Sequence, residues 1–530
     1  VAVRARIDTV RRRIDLEQGD FSRVDTRPDY NVAVAVTGSL DYSGAAPHLA
    51  FGVAGTRMPM KVMMRLWPVV TSVPVREWVE GHMSGGIVER VVIAGNAGLP
   101  EFKAGGPPMA AEGLSIDIET SGTTLRPLDS LPAIRDADLT VHITGATANV
   151  SLGRGTVEVT PGRKLNIASG VFEIPDTHLK PAPARTSFRI DGAAPAAAAL
   201  LASDALRDSV GISLDPASSR GTVAAQIAVN VLIGRNVPPN ASTYTVTADL
   251  TNFAADNVMM RQKVEASALR VTASNEGYEV TGDVKINGTP ATIDLTKKKG
   301  ATDAELRLQA MIDEAARRRL GIDFGGAVTG TVPIRLAARI SDNGTDAPMG
   351  VDADLTPVKI DNLLPGWVKP AGKPAHATYT MFKTGQSVHI DNLAIVGSGT
   401  NVKGSVELDG AGDIVSANFP VFSLSEGDKA SLKADRAGDG ALRVAMRGDV
   451  FDGVNFVKSS LAGAVPDKSK AKQPDLDLDI KLGTVIGNNG ETLRGLDLKL
   501  MRRSGHIRSF ALNAKIGRDT PLSGDLRLRS

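Results

Sequence analysis

The sequence predicts a mostly β fold: an elongated, twisted antiparallel sheet, curved into a repeated β-groove, with a few short helices. Three observations predict it. Apolar and polar residues alternate with a period of two, turn dipeptides separate the alternating runs, and a segment of about 105–109 residues recurs along the chain. Aromatic residues make up only 4% of the chain while glycine is plentiful at 54 residues, which is typical of many thin strands joined by turns.

The alternation predicts strands with one apolar and one polar face. In the run 222–233, apolar side chains fall on every second position, and Thr222, Gln226 and Asn230 lie between them. Strands of this kind belong to antiparallel sheets with one face in water. The apolar positions that we assign to one face are Leu139, Val141, Ile143, Val223, Ala225, Ile227, Val229, Val246, Leu250, Val332, Ile334, Leu336, Leu476, Leu478 and Ile480.

Turn chemistry separates these runs, and helical patterns are few. The dipeptides Asn287-Gly288, Asp409-Gly410, Asp439-Gly440 and Asn489-Gly490 predict tight hairpin turns. Helices are predicted over 60–66, 75–83, 193–208 and 308–320. The last of these ends in Arg317-Arg318-Arg319, which is favourable at a helix C-terminus, and Gly321 then stops it.

The internal repeat sets the predicted domain organisation. The segment 245–257 matches 350–362, since both contain Ala-Asp-Leu-Thr followed four residues later by Asp-Asn. Each unit is too rich in strands and too poor in aromatic residues to close a core alone, so stacking end to end is expected. The predicted segments are 1–112 with a helical insert near 60–83, three groove repeats at 113–210, 211–320 and 321–425, and a C-terminal β segment at 426–530.

Charge and composition exclude several classes of function. The net charge is +2, from 61 basic and 59 acidic residues, so the chain offers no strong field for nucleic acid. It contains no cysteine, which removes disulfide scaffolds, zinc fingers and thiol catalysis. No stretch approaches the ~20 apolar residues of a membrane-spanning helix. The chain begins at Val1 in a strand pattern, so we expect a fragment whose targeting or anchoring segment lies outside it.

No pattern of catalytic or metal-binding residues emerges. The seven histidines are scattered, and Asp475, Asp477 and Asp479 are expected on a solvated strand face, with calcium binding the alternative. The glycine-rich segment 397–404 is expected to be a hairpin turn; it lacks the Gly-Lys-Ser/Thr ending of a phosphate loop. The basic runs 11–13, 297–299 and 317–319 are expected at solvated strand edges or helix ends. We therefore expect no enzyme and no cofactor.

Two segments carry a resemblance to a known family. They are LWPVVTSVPVREWVEGHMSGGIVERVVIAG at 66–95, and SIDIETSGTTLRPLDSLPAIRDADLTVHITGATANV at 115–150. In these residues the chain resembles the AsmA-like family, in the YhdP branch of the AsmA/TamB bridge-like lipid transfer proteins, over nearly its whole length. The family has no catalytic signature, so no residue role is transferred.

The resemblance implies a lipid conduit of the Gram-negative envelope, and the fifteen apolar residues assigned above to one face are then the candidates for its lipid groove. It implies the periplasmic portion of a protein anchored in the inner membrane, with phospholipids and both membranes as partners, possible envelope proteins at its ends, and a part in outer-membrane biogenesis. Independently, roughly thirty strands in one sheet would extend ~140 Å, several times the ~30 Å core of a bilayer. The open alternatives are a closed β-sandwich core, an envelope scaffold or assembly factor for outer-membrane proteins, and an adhesive β-solenoid.

Overall fold

A computed structural model describes residues 1–23, 31–67, 73–103, 105–204, 206, 214–234, 236–238, 241–259, 262–319, 324, 326–341, 348–364, 366–455, 475–487, 490–517 and 519–528. The chain divides into two compact units, Val1–Gly282 and Asp283–Ser530. The boundary falls within one strand, Gly277–Ile286. In the described residues the protein is mostly β, and thirty strands belong to one mostly antiparallel sheet, which confirms the predicted fold class.

Unit 1 contains the first fifteen strands, which follow one another mostly through short connections. They are β1 (Ala2–Asp8), β2 (Arg13–Arg23), β3 (Val32–Asp41), β4 (His48–Gly55), β5 (Met58–Pro59), β6 (Met83–Ser84), β7 (Ile87–Gly98), β8 (Leu114–Leu125), β9 (Ile134–Thr144), β10 (Ala148–Thr160), β11 (Arg163–Ile174), β12 (Ala182–Ala193), β13 (Arg220–Ile233), β14 (Thr243–Met259) and β15 (Gln262–Ser274). Each of β7 to β14 pairs antiparallel with the next.

The strands from β16 onward run through the unit boundary to the end of unit 2. They are β16 (Gly277–Ile286), β17 (Thr289–Lys298), β18 (Asp303–Ile312), β19 (Val328–Thr329), β20 (Val332–Ser341), β21 (Met349–Asp354), β22 (Lys359–Asp361), β23 (Val368–Lys369), β24 (His376–Thr384), β25 (Ser387–Gly397), β26 (Thr400–Leu408), β27 (Ile414–Ser423), β28 (Lys429–Arg436), β29 (Leu442–Asp452), β30 (Leu476–Ile486), β31 (Thr492–Arg503), β32 (His506–Ile516) and β33 (Thr520–Arg527).

Two features interrupt the antiparallel order of unit 2. The short strands β19, β22 and β23 form a separate three-stranded sheet. Strand β30 pairs with β29 in parallel, whereas its other neighbour β31 is antiparallel.

The helices agree with the prediction in three places and correct it in the fourth. The helix α1 (Met60–Leu66) coincides with its prediction; α2 (Val73–His82) and α3 (Ala194–Leu201) overlap theirs, although α3 is shorter. Short 3-10 turns follow at Leu99–Phe102 and Ala111–Gly113. The predicted helix 308–320 is wrong over its first half, because β18 runs to Ile312 and only Glu314–Arg319 is helical.

The correction has a simple cause in the sequence. Apolar residues alternate with polar or exposed neighbours at Leu306, Leu308, Ala310 and Ile312. This period of two extends into 308–312, the part of the predicted helix whose spacing also fits a strand. Pairing with β17 on one side and β20 on the other decides the outcome in favour of the strand. The basic last turn of the short helix is present, whereas Gly321 and Asn489 lie outside the described residues.

Turns and bulges position the strands. Asn287 and Gly288 both have positive φ, at 47° and 79°, as a type I′ hairpin turn requires. Several strands contain a β-bulge, an extra residue that shifts the register with the neighbouring strand. A residue with positive φ lies at each of these bulges: Gly122 in β8, Asp136 in β9, Ser169 in β11, Asn252 in β14, Asn392 in β25 and Gly495 in β31. Each such β-bulge shifts the alternation by one residue, so the same face stays apolar on both sides of it.

Candidate functional site: rows of apolar side chains along each unit

A row of paired apolar residues crosses unit 2 without interruption. Directly paired residues on neighbouring strands point to the same face of a sheet, so a chain of pairs defines a row at right angles to the strands. One such row, called here the central row, contains one residue from each of fourteen strands. It consists of Leu295, Leu306, Ala338, Met349, Met381, Ile390, Val406, Ala417, Ala434, Val444, Leu478, Leu500, Phe510 and Leu526.

Burial along the central row is mostly partial. Leu306 is 1% exposed, and Ala338, Ala417 and Ala434 are also buried, whereas Leu526 at the last strand is 49% exposed. The other nine members are half-buried. A row inside a closed sandwich would be buried throughout, because two sheets ~10 Å apart exclude water from their inner faces. Partial burial instead leaves hydrocarbon surface within reach of a ligand.

A second row lies two residues along each strand from the central row. Its first part is formed by Ile293, Leu308, Leu336, Val351 and Tyr379. After the bulge at Asn392 and another in β27, pairing resumes from Phe419 and continues through Leu432, Met446, Ile480, Leu498 and Leu512. The second row is therefore apolar as well, apart from the phenol of Tyr379.

A small cap covers a third row in the middle of unit 2. The third row contains Ala353, Ala377, Ile395 and Val402, and these pack in one cluster with Val328, Val358, Ile360 and Trp367 from the three-stranded sheet and its loops. Trp367 is 2% exposed, and its Nε1 donates a hydrogen bond to Oγ1 of Thr400 at 2.9 Å. We call this three-stranded sheet with its loops the cap.

Two buried cations fasten the cap through main-chain carbonyls. The guanidinium of Arg317 donates to the carbonyl oxygens of Ile312, Gly330 and Val328 at 3.2, 2.9 and 2.9 Å. Arg317 is 4% exposed, which corrects the expectation of a solvated helix end at this residue, whereas Arg318 and Arg319 are exposed as expected. Its carbonyl partners lie at the end of β18 before it, and in β19 and just after β19 further along the chain, and nothing in the run itself indicates burial.

Lys369 on β23 is the second buried cation that donates hydrogen bonds to main-chain carbonyls of the cap. Its Nζ donates to the carbonyl oxygens of Val358 at 2.8 Å, Pro370 at 3.1 Å and Thr356 at 3.4 Å. Burial lowers the pKa of Lys369, because the charged form loses contact with water, and the carboxylate of Asp354 opposes that shift. The donors of both cations are thus used within the cap.

Unit 1 has comparable rows. One runs through Val91, Ile118, Val141, Val150 and Phe172, then through Thr186 to Val229 and Tyr244. Another, at the end of the strands nearest α3, contains Leu125, Ile134, Val157, Leu165, Gly192, Val223, Leu250 and Leu269. The first of these rows carries the hydroxyls of Thr186 and Tyr244; the second is apolar throughout.

Helices lie over parts of the apolar face in unit 1. Met60 and Met63 of α1 are buried against Val88 and Val91 of β7, and Ile118 packs on the same cluster. The alanine-rich α3 packs on β10 to β13, with four of its alanines buried. The first row is half-buried from Ile118 to Tyr244, whereas Ile134, Val157, Leu165 and Leu269 of the second row are buried. The helices thus cover segments of the apolar face, as the cap does in unit 2.

The sequence-predicted face residues all lie in strands; Val332 and Leu476 are the first residues of β20 and β30. Leu139, Ala225, Val332 and Ile480 are buried, and the other eleven are half-buried. The structure brings four of them into direct pairs, Val223 with Leu250 and Ile227 with Val246. Whether this face binds a lipid remains a prediction.

Sequence reasoning missed members of the same rows. Leu306, Met381 and Val444 belong to the central row but are absent from the residues that the sequence assigns to the apolar face. Phe188 pairs with Ile227 and Ile190 with Ala225, although their strand reads as only partly apolar. The strand pairing, which a single sequence does not reveal, is what identifies them.

The opposite face is polar and carries ion pairs between neighbouring strands. Asp249 and Arg270 pair at 2.9 Å, Asp138 and Arg154 at 2.6 Å, and the carboxylate of Asp117 accepts a hydrogen bond from His142 at 2.7 Å. Exposed pairs of this kind each contribute little stability. Because these pairs all lie on the face opposite to the apolar rows, each segment of the sheet has one apolar face and one polar face.

The remaining candidates have structural partners. Asp477 pairs with Arg503 at 2.6 Å and Asp479 with Arg447 at 2.8 Å, while Asp475 accepts a hydrogen bond from the backbone N–H of Ser504. Within the residues that the structure describes, no group of three or more His, Asp or Glu side chains could hold a metal ion. The segment 397–404 joins β25 and β26, which confirms the predicted hairpin turn.

The fold and its rows define a two-sided, mostly antiparallel β protein with an extended apolar face. Comparisons with models of protein families, with curated proteins and with solved structures found no match to this chain. In the described ranges, no helix has the length and apolar character needed to cross a bilayer.

Proposed function

We propose that the chain carries the acyl chains of phospholipids along its apolar rows, as a segment of a conduit between two membranes. The observation that supports this most directly is the central row of unit 2. Fourteen strands, each paired with the next in the sheet, contribute one apolar side chain each, and most of these side chains are half-buried. A ligand that binds such a surface must itself be long and apolar.

The dimensions of the central row suit several acyl chains. Fourteen strands have thirteen spacings of ~4.8 Å, so the row extends about 62 Å across the strands. One acyl chain occupies about half of the ~30 Å hydrocarbon core of a bilayer, so about four chains could lie end to end. Each CH₂ kept out of water contributes ~0.8 kcal/mol, which makes continuous apolar cover the main requirement for moving such a chain.

The side chains of the row also suit transport better than storage. Alanine, valine, leucine and methionine vary in size along it, and no member carries a charge that would hold a headgroup. The near-neutral net charge of +2 is consistent with weak retention of anionic lipids. We propose, from the resemblance of 66–95 and 115–150 to AsmA-like proteins, that this transport links the inner and outer membranes of a Gram-negative envelope, with envelope proteins at the ends.

Native mass spectrometry of the purified chain tests the proposal. The expected result is co-purified phospholipid, with more than one molecule per chain, and exchange of these molecules with lipid supplied in vesicles. A lipid-free species that takes up none on incubation would overturn the proposal. If that species also carried a protein partner in a fixed ratio, the data would favour an envelope scaffold or assembly factor for outer-membrane proteins.

A further inference from the structure

One residue gives the apolar face of unit 2 a hydrogen-bonding group. Within the described rows of unit 2, Tyr379 is the member whose side chain carries a polar atom. It lies on β24, directly paired with Val351, which is itself paired with Leu336. Paired residues share a face, so the phenol ring of Tyr379 lies among the apolar side chains and away from the ion pairs of the polar face.

Tyr379 stands at the border between the covered and the uncovered part of this face. Two residues before it along β24, Ala377 belongs to the third row and is buried beneath the cap. Two residues after it, Met381 belongs to the central row and is half-buried. Tyr379 itself is half-buried, so its ring lies beside the place where the central row would receive a ligand.

The hydroxyl of Tyr379 has no hydrogen-bond partner among the residues that the structure describes. Burial raises its pKa, with no neighbouring charge contributing to the shift. The group is therefore protonated at neutral pH and can donate. The hydroxyl keeps contact with solvent, so water can accept its proton while the face is free. A ligand that covers the hydroxyl must supply an acceptor instead, because burying an unpaired hydroxyl is unfavourable.

We propose that the Tyr379 hydroxyl donates a hydrogen bond to the ester carbonyl oxygen of an acyl lipid whose chain lies on the central row. This inference rests on the proposed function and names the part of the lipid that is recognised. An ester carbonyl is the polar group nearest to the start of an acyl chain, so a donor beside an apolar row meets it first. A phosphate would need a cation, and the two buried cations of the cap, Arg317 and Lys369, already donate to main-chain carbonyls.

The test compares Tyr379→Phe with the unchanged chain on two phospholipids that differ only in linkage. One has ester-linked chains and the other has ether-linked chains, which lack the carbonyl oxygen. The substitution removes one hydroxyl and keeps the ring, so the fold is expected to persist, and thermal unfolding verifies this. Tyr42→Phe is the matched control, since Tyr42 follows β3 in unit 1 and belongs to none of these rows.

The expected result is a linkage-dependent loss of affinity. Tyr379→Phe should weaken binding of the ester lipid about fivefold, the effect of one ordinary hydrogen bond, and leave binding of the ether lipid unchanged. Equal weakening for both lipids, or no change for either, would overturn the role of Tyr379. Failure of the unchanged chain to bind either lipid would instead overturn the proposed function, on which this role depends.

Discussion

A single charge placed in an apolar row should block lipid without unfolding the sheet. Val229 lies on β13 between Thr186 and Tyr244 and is half-buried. Full burial of a valine contributes at least ~1.5 kcal/mol, so loss of about half of it in Val229→Asp should lower the free energy of unfolding by about 1 kcal/mol. The carboxylate keeps contact with water as long as no ligand covers it.

A lipid that passes Val229→Asp must cover the new carboxylate. Removing a charge from water without a partner costs several kcal/mol, and 3 kcal/mol corresponds to about a hundredfold. We therefore expect bound phospholipid, and transfer between donor and acceptor vesicles, to fall about a hundredfold or more. The control is Asn230→Asp, which adds the same charge one residue further on, on the exposed polar face, and should leave both readouts unchanged.

Two results would refute this reasoning. If Val229→Asp unfolds unit 1, with a loss of several kcal/mol in a denaturant titration, the position is part of a closed core, as a β-sandwich would require. If it stays folded and binds as much lipid as the Asn230→Asp control, the row is not the lipid path.

Three further predictions concern stability. Leu306→Ala should lower the free energy of unfolding by about 2–5 kcal/mol in a urea titration, since its side chain is almost completely buried; a loss below about 1 kcal/mol would contradict the packing described for β18. Arg317→Met should cost at least about 3 kcal/mol by the same measurement, because three carbonyls lose their donor, and a neutral result would show that water replaces it. Arg154 and the backbone N–H of Gly122 lower the pKa of Asp138, so its contribution to stability is present at neutral pH and is lost as the pH falls below about 4. The stability difference between the unchanged chain and Asp138→Asn should therefore shrink between pH 5 and pH 2, and a constant difference would contradict this.

Much of the fold could be predicted because period-two alternation survives in most strands. Runs such as 222–233 and 476–482 carry it without interruption, and both are strands in the structure. The prediction was wrong at 308–312, where the leucine spacing satisfies a helix as well as a strand and only pairing with β17 and β20 decides between them. Local spacing is ambiguous in such cases, since the deciding contacts come from distant residues.

The cap could not be predicted from the sequence. Its strands β19, β22 and β23 contain two or three residues each, too few to show any alternation. Arg317 was read as a surface residue because basic runs usually are, and its burial depends on carbonyls that the fold brings around it. The β-bulges also limit prediction from the sequence. A bulge such as the one at Asn392 shifts the apolar positions by one residue, so strict alternation no longer identifies them, whereas the strand pairing does.

The central claim is that the apolar rows are in contact with lipid acyl chains. Photo-crosslinking tests it most directly, with a benzophenone amino acid placed at Val444 of the central row or at its neighbour Arg443, whose side chain is exposed on the polar face. After purification from membranes and illumination, mass spectrometry should find phospholipid attached to the chain substituted at Val444 and little or none attached at Arg443. Equal attachment at the two positions, or none at Val444, would contradict the account.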